Sequence, residues 1–93
     1  MASGYGNLGN VYWDRGDLEQ AEAMYRKSLA LNEALGCKEG MANQYGSLGN
    51  VHLERGDLDQ AEAMYRKSIA LFQEVGAAPK AEQAQGWLDQ LRQ

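Results

Sequence analysis

At 93 residues the chain has room for one small domain, near the lower limit at which a single core holds without staples. Hydrophobic residues make up 44% and charged residues 24%, the composition of a folded chain rather than a disordered one. The net charge of −4 includes no basic block, which argues against nucleic acid as a partner. No apolar run approaches the ~20 residues of a membrane span.

No charged-then-apolar leader opens the chain, so no secretion signal is expected. The lone cysteine, Cys37, has no internal disulfide partner, which fits a reducing compartment; cytoplasm is the expected location.

Residues 1–15 place Ala2, Tyr5, Leu8, Val11 and Tyr12 at helical spacing. Gly6 and Gly9 interrupt this helix, each costing roughly 1 kcal/mol relative to alanine. Glycines at that spacing make sense where another helix approaches closely. Gly16 ends the segment, and Asp17 is a good N-cap for the next, with Gln20 placed to complete a capping box. From Leu18 the apolar positions run Ala21, Met24, Tyr25, Ser28, Leu29, Leu31 and Leu35, closed by Gly36.

The pattern then restarts. QAEAMYRKS at residues 20–28 recurs at 60–68, and with a shift of 40 residues 24 of 40 aligned pairs are identical. A repeat of this length implies a solenoid, whose units bury their apolar faces by stacking on neighbours. Residues 38–55 predict a third helix, with Met41, Ala42, Tyr45, Leu48, Val51 and His52 on the matching face. Gly56 and Asp57 repeat the corner, and Leu58 to Val75 predict a fourth helix. Residues 79–93 predict a fifth, opened by Pro79, with Ala81, Ala84, Leu88 and Leu91 in one stripe and Trp87 at its edge. One apolar and one polar face suit an end cap. Phe72, standing where the first unit has Asn32, is expected to lie under Trp87. The expected architecture is an all-α helix–turn–helix solenoid of five helices in one domain, 1–93. Its parts are a first repeat at 1–40, a second at 41–78 and a capping helix at 79–93.

These residues resemble the tetratricopeptide repeat. Tyr5, Leu8, Gly9, Tyr12, Gly16, Leu18, Ala21, Tyr25 and Leu29 carry the resemblance in the first unit. Tyr45, Leu48, Gly49, Gly56, Leu58, Ala61, Tyr65 and Ile69 carry it in the second. The chain departs from the pattern at His52, which takes an aromatic place, and at Ser28 and Ser68, which take that of an alanine. The closing proline is absent, and the period of 40 exceeds the usual ~34. NLGN at 7–10 and SLGN at 47–50 are similar to the long-repeat branch that includes kinesin light chains and spindle-orientation adaptors.

The resemblance implies a protein–protein interaction scaffold whose first helices line a concave groove for a peptide or partner helix. Carried over by position, the groove residues are Asn10, Trp13 and Asp14 in the first unit and Asn50, Leu53 and Glu54 in the second. Ser3 and Gly6 line it as well in the first unit, and Asn43 and Gly46 in the second. The alternative for Asn10 and Asn50 is a hydrogen bond to a neighbouring helix. A clamp on a C-terminal carboxylate is not expected, because its lysine places fall on Gly6, Gly46 and Gly86. Apolar or basic segments suit the acidic Asp14 and Glu54 better.

No catalytic constellation stands out, and no cofactor or metal site is expected. His52 reads as a satisfied core or interface histidine and Cys37 as a free loop thiol. Asp17 and Asp57 are explained by capping. GYGNLG at 4–9 lacks the strand and lysine of a phosphate loop. The second functional reading is self-association as a homodimer through Tyr5, Leu8, Val11 and Tyr12 of the uncovered first helix. Two near-identical units also fit a fragment of a longer array or an engineered consensus-like chain.

Overall fold

The computed structural model describes residues 2–91, with side chains from residue 4 onward. Ser3, a groove position by resemblance, and residues 92–93 of the expected cap therefore lie outside the described side chains and residues. The described residues form five helices: α1 (Ala2–Asp14), α2 (Leu18–Leu35), α3 (Lys38–Glu54), α4 (Leu58–Glu74) and α5 (Ala78–Leu91). Neighbours in sequence pack on one another in order, α1 on α2 through to α4 on α5, as stacked helical hairpins do.

Every corner is turned by a glycine in the left-handed region: Gly16, Gly36, Gly56 and Gly76, with φ of 79, 70, 79 and 73°. At the Gly–Asp corners one residue serves both helices. The Asp17 N–H donates to the Tyr12 carbonyl (2.9 Å), closing α1, while its carboxylate accepts the Gln20 N–H (3.2 Å), opening α2. Asp57 does the same between His52 and Gln60. The aspartate N–H is thus already bonded to the preceding helix, so the reciprocal half of a capping box is not needed.

Packing within a repeat depends on two consecutive residues, Gly-Asn. The Tyr25 ring crosses α1 at Gly9, and its hydroxyl donates to Asn10 Oδ1 at 2.7 Å. Tyr65 crosses α3 at Gly49 and donates to Asn50 Oδ1 in the same way. A Cβ at Gly9 would lie 2.6 Å from the Tyr25 ring, and one at Gly49 2.5 Å from that of Tyr65, so any larger residue forces the ring out. The close approach expected at Gly9 is therefore made by the chain's own second helix. The buried serines also have a reason. Ser68 Oγ donates to the Ala42 carbonyl at 2.8 Å, a bond an alanine would lack.

Between repeats, Ala21, Tyr25 and Leu29 of α2 form one core with Leu48 and Val51 of α3. Arg55, at the end of α3, reaches back to Glu22 of α2, which also holds Arg26. The α4–α5 contact repeats this arrangement with Ala61, Tyr65 and Ile69 against Ala84 and Leu88. Two expectations need correction. Trp87 packs on Tyr65, ring centroids 5.7 Å apart, whereas Phe72 packs on Ala42 and Ala81. Leu35, counted with the apolar face of α2, is 76% exposed, because it lies in the last turn beyond the neighbouring helices' cover.

Gly49→Ala should lower stability by about 1–3 kcal/mol, since the buried Tyr65 ring has its hydroxyl anchored and cannot move freely. Gly86→Ala, which faces open space on α5, should raise stability by roughly 0.5–1 kcal/mol. Urea denaturation measures both; equal midpoints for the two variants would remove the packing role assigned to Gly49.

Candidate partner-binding face

Three clefts open on one continuous face built largely from α1, α3 and α5. The largest, about 340 Å³, lies among α1, α2 and α3 and is lined by hydroxyls and carboxamides, among them Asn7, Asn10, Asn32, Asn43, Gln44 and Ser47. The second, about 200 Å³, lies among α3, α4 and α5 and includes Ala42, Phe72, Lys80 and Trp87. A third, about 140 Å³, is bounded by Asn10, Trp13, Tyr25, Ser47 and Asn50. Asn43 and Ser47 are common to the first two, and Asn10 and Ser47 to the first and third, so the three adjoin.

Of the groove residues read from the sequence, Asn10, Trp13 and Asn50 meet at the third cleft, and Gly6, Asn43 and Gly46 line the two larger ones. Asn10 and Asn50 do two things at once. Each accepts a tyrosine hydroxyl through Oδ1 and lines the third cleft. Asp14, Leu53 and Glu54 line none of these three clefts. Asp14 and Glu54 sit exposed at the last turns of α1 and α3, and Leu53 packs on the α4–α5 core. Sequence reading missed Asn7, Asn32, Gln44, Ser47, Lys80 and Gln83. The available signal was the polar residue interrupting an apolar stripe, most plainly Asn32, which is buried in α2 with its amide donating to the Ser28 carbonyl at 2.9 Å.

The four residues read as a self-association surface divide into two pairs. Tyr12 packs against the α2 core and Tyr5 lies half-buried beneath Lys27, whose ammonium is 5.7 Å from the ring centre. Leu8 and Val11 face outward, 45% and 44% exposed, where their counterparts Leu48 and Val51 are fully buried under α2. Arg15 likewise makes no ion pair among the described residues, whereas its counterpart Arg55 holds Glu22.

Charge on the clefted face is sparse. Burial alone would push the Glu22 carboxyl up, but Arg26 and Arg55 together hold it below its ordinary value. Burial pushes the Tyr25 hydroxyl up, with Asp14 adding to the effect against the Ser47 hydrogen bond. Burial likewise raises Tyr65, to about 12. His52 is buried as expected, but its Nε2 has no hydrogen-bond partner. Cys37 is exposed at the start of α3. Among the described residues no group of three His, Cys, Asp or Glu side chains is placed to hold a metal, and no helix is long and apolar enough to cross a membrane.

Comparison with known proteins gives two positive results. The sequence profile described as "Tetratricopeptide repeat" matches residues 1–74. Among solved structures, BtubC (BKLC) from P. vanneervenii superposes with a TM-score of 0.69 at 20% identity, over 98% of this chain and 46% of that one. The chain thus spans about half the length of that protein, and at this identity the likeness is one of fold. None of the curated proteins matches.

The raised Tyr65 hydroxyl makes stability depend on alkaline pH. Its ordinary value is 10.0 and its folded value about 12, so between them the unfolded chain releases a proton that the folded chain keeps. Stability should therefore fall as pH rises from 10 to 12, by about 2–3 kcal/mol in total. Denaturant unfolding at stepped pH measures it. A Tyr65→Phe variant with the same alkaline slope would assign the effect to another group.

Proposed function

The chain belongs to the tetratricopeptide-repeat family, and from that premise we propose that its clefted face binds an extended segment of a partner protein, without catalysis. Domains of this family serve in general as protein–protein interaction scaffolds. The observation that carries the reading is the run of unpaired carboxamides along the first helices. Among the described residues the Asn7 and Asn43 side chains have no hydrogen-bond partner, and both line the cleft of about 340 Å³. A carboxamide can donate and accept at once, which matches the alternating N–H and C=O groups of an extended backbone. The absence of cations from the largest cleft disfavours a carboxylate terminus or a phosphate group. A net charge of −4 disfavours nucleic acid, and an exposed, unpaired Cys37 supports a reducing, cytoplasmic setting.

Asn10 and Asn50 are poor probes of this reading, because removing either strands a buried tyrosine hydroxyl at about 1–3 kcal/mol. Asn7 and Asn43 are better. Peptides selected from a random displayed library should bind the Asn7→Ala/Asn43→Ala variant about tenfold more weakly, with its denaturation midpoint unchanged. Selected peptides that bind wild type and variant equally would sink the reading.

The second reading, a homodimer through α1, rests on Leu8 and Val11, exposed where Leu48 and Val51 are buried. Tyr5 and Tyr12 are engaged with the chain's own α2 side, so the free apolar patch is small against the ~800 Å² per partner of a stable interface. Association is therefore expected to be weak. Sedimentation should show mass rising above 10.3 kDa only at high concentration, and Leu8→Glu should abolish the rise with little loss of stability. A constant 10.3 kDa into the millimolar range would rule the dimer out.

A further inference from the structure

The two larger clefts are the same site made twice. Shifting the lining of the first by 40 residues reproduces most of the second, including Gly6 onto Gly46 and Ser28 onto Ser68. Against that shared frame three changes stand out: Asn32 becomes Phe72, Gly40 becomes Lys80 and Ser47 becomes Trp87.

The changes are coupled by sterics. In the first cleft the Asn32 amide lies so close to Gly40 that a Cβ there would collide with it, so a buried polar amide at the floor requires a glycine beside it. In the second cleft the floor is Phe72, which packs on Ala42 and Ala81, and position 80 is free to carry a side chain. Lys80 brings little free charge with it. Its ammonium lies 3.1 Å from the Glu39 carboxylate and 5.9 Å from the centre of the Phe72 ring. Trp87 forms the opposite wall, held by Tyr65 and approaching α3 at Gly46, where a Cβ would come within 3.3 Å of its ring. The first cleft is thus lined mainly by neutral donors and acceptors, whereas the second sets two aromatic rings and an ion-paired lysine beside Asn43, Ser47, Ser68 and Gln83.

We propose, building on the clefted face as the binding surface, that the two clefts read two different side chains of one extended segment. The cleft among α1, α2 and α3 takes a carboxamide or hydroxyl side chain: asparagine, glutamine or serine. The cleft among α3, α4 and α5 takes an uncharged aromatic or large aliphatic side chain. A cavity of about 150 Å³ with apolar walls accepts a benzene ring, so the second cleft, at about 200 Å³, has room for one. Because the clefts differ in polarity, a segment has one favoured direction and register on the surface; two identical clefts would bind it in either of two registers.

The test uses N-acetyl-phenylalanine methylamide and N-acetyl-asparagine methylamide, each titrated into the isotope-labelled full chain and followed by NMR. The phenylalanine probe should move the Trp87 indole and the Gly46 and Ser68 amides. The asparagine probe should move Gly6 and the side-chain amides of Asn32 and Gln44. Saturation with one should not displace the other. Phe72→Asn combined with Lys80→Gly, which supplies the glycine that such an amide requires, should weaken the phenylalanine probe about tenfold or more and leave the asparagine probe's binding at the first cleft unchanged. The introduced amide has the Ser68 carbonyl in the place where Asn32 uses that of Ser28. Mutual competition of the two probes, or equal shifts in both clefts, overturns the two-cleft assignment while leaving the binding surface intact. If neither probe moves either cleft and selected peptides map elsewhere, the surface itself is wrong. Should the double variant not fold, the competition measurement on the unaltered chain decides alone.

Discussion

A tyrosine ring laid across a glycine, with its hydroxyl on the next asparagine, is the constraint from which the rest of this structure follows. It occurs twice, as Tyr25 on Gly9 and Asn10 and as Tyr65 on Gly49 and Asn50. The glycine lets two helices approach more closely than any Cβ would allow. The asparagine satisfies a hydroxyl that would otherwise be buried unpaired. Leucine completes the trio by facing the other way, toward the preceding repeat. Three adjacent residues thus set the packing inside a unit and supply a surface to the next.

This economy also shapes the binding face. Oδ1 of Asn10 and of Asn50 is committed to a tyrosine, whereas the Asn7 and Asn43 carboxamides have no partner among the described residues. The face is therefore a rigid frame carrying a few unengaged polar groups, an arrangement suited to binding without large reorganisation. The two larger clefts differ where the units differ. Asn32 against Phe72 and Ser47 against Trp87 turn a repeated frame into two chemically distinct clefts.

The two ends of the stack are unequal for a related reason. At one end α5 presents Ala84 and Leu88 to α4 and Glu82, Asp89 and Gln90 to solvent, so one face covers the second repeat and the other is polar. At the other, Leu8, Val11 and Arg15 repeat the chemistry of Leu48, Val51 and Arg55 without the helix that covers those residues. The chain contains its own control for that surface.

The sequence by itself determined the fold. Period, glycine corners, aspartate caps and the stripe of Tyr, Leu and Val specify five helices and their order, because each of those signals acts over a few residues or through exact repetition at 40. It also marked Asn10, Trp13 and Asn50, which do meet on the clefted face. Tertiary structure alone decided the rest. Whether Tyr5 and Leu8 point the same way, whether Phe72 meets Trp87 or Ala81, and which amide is left unpaired depend on the rotation of one helix against another. A few tens of degrees separate Leu8 in solvent from Tyr12 in the core, and no local pattern encodes an angle that close packing between distant segments sets.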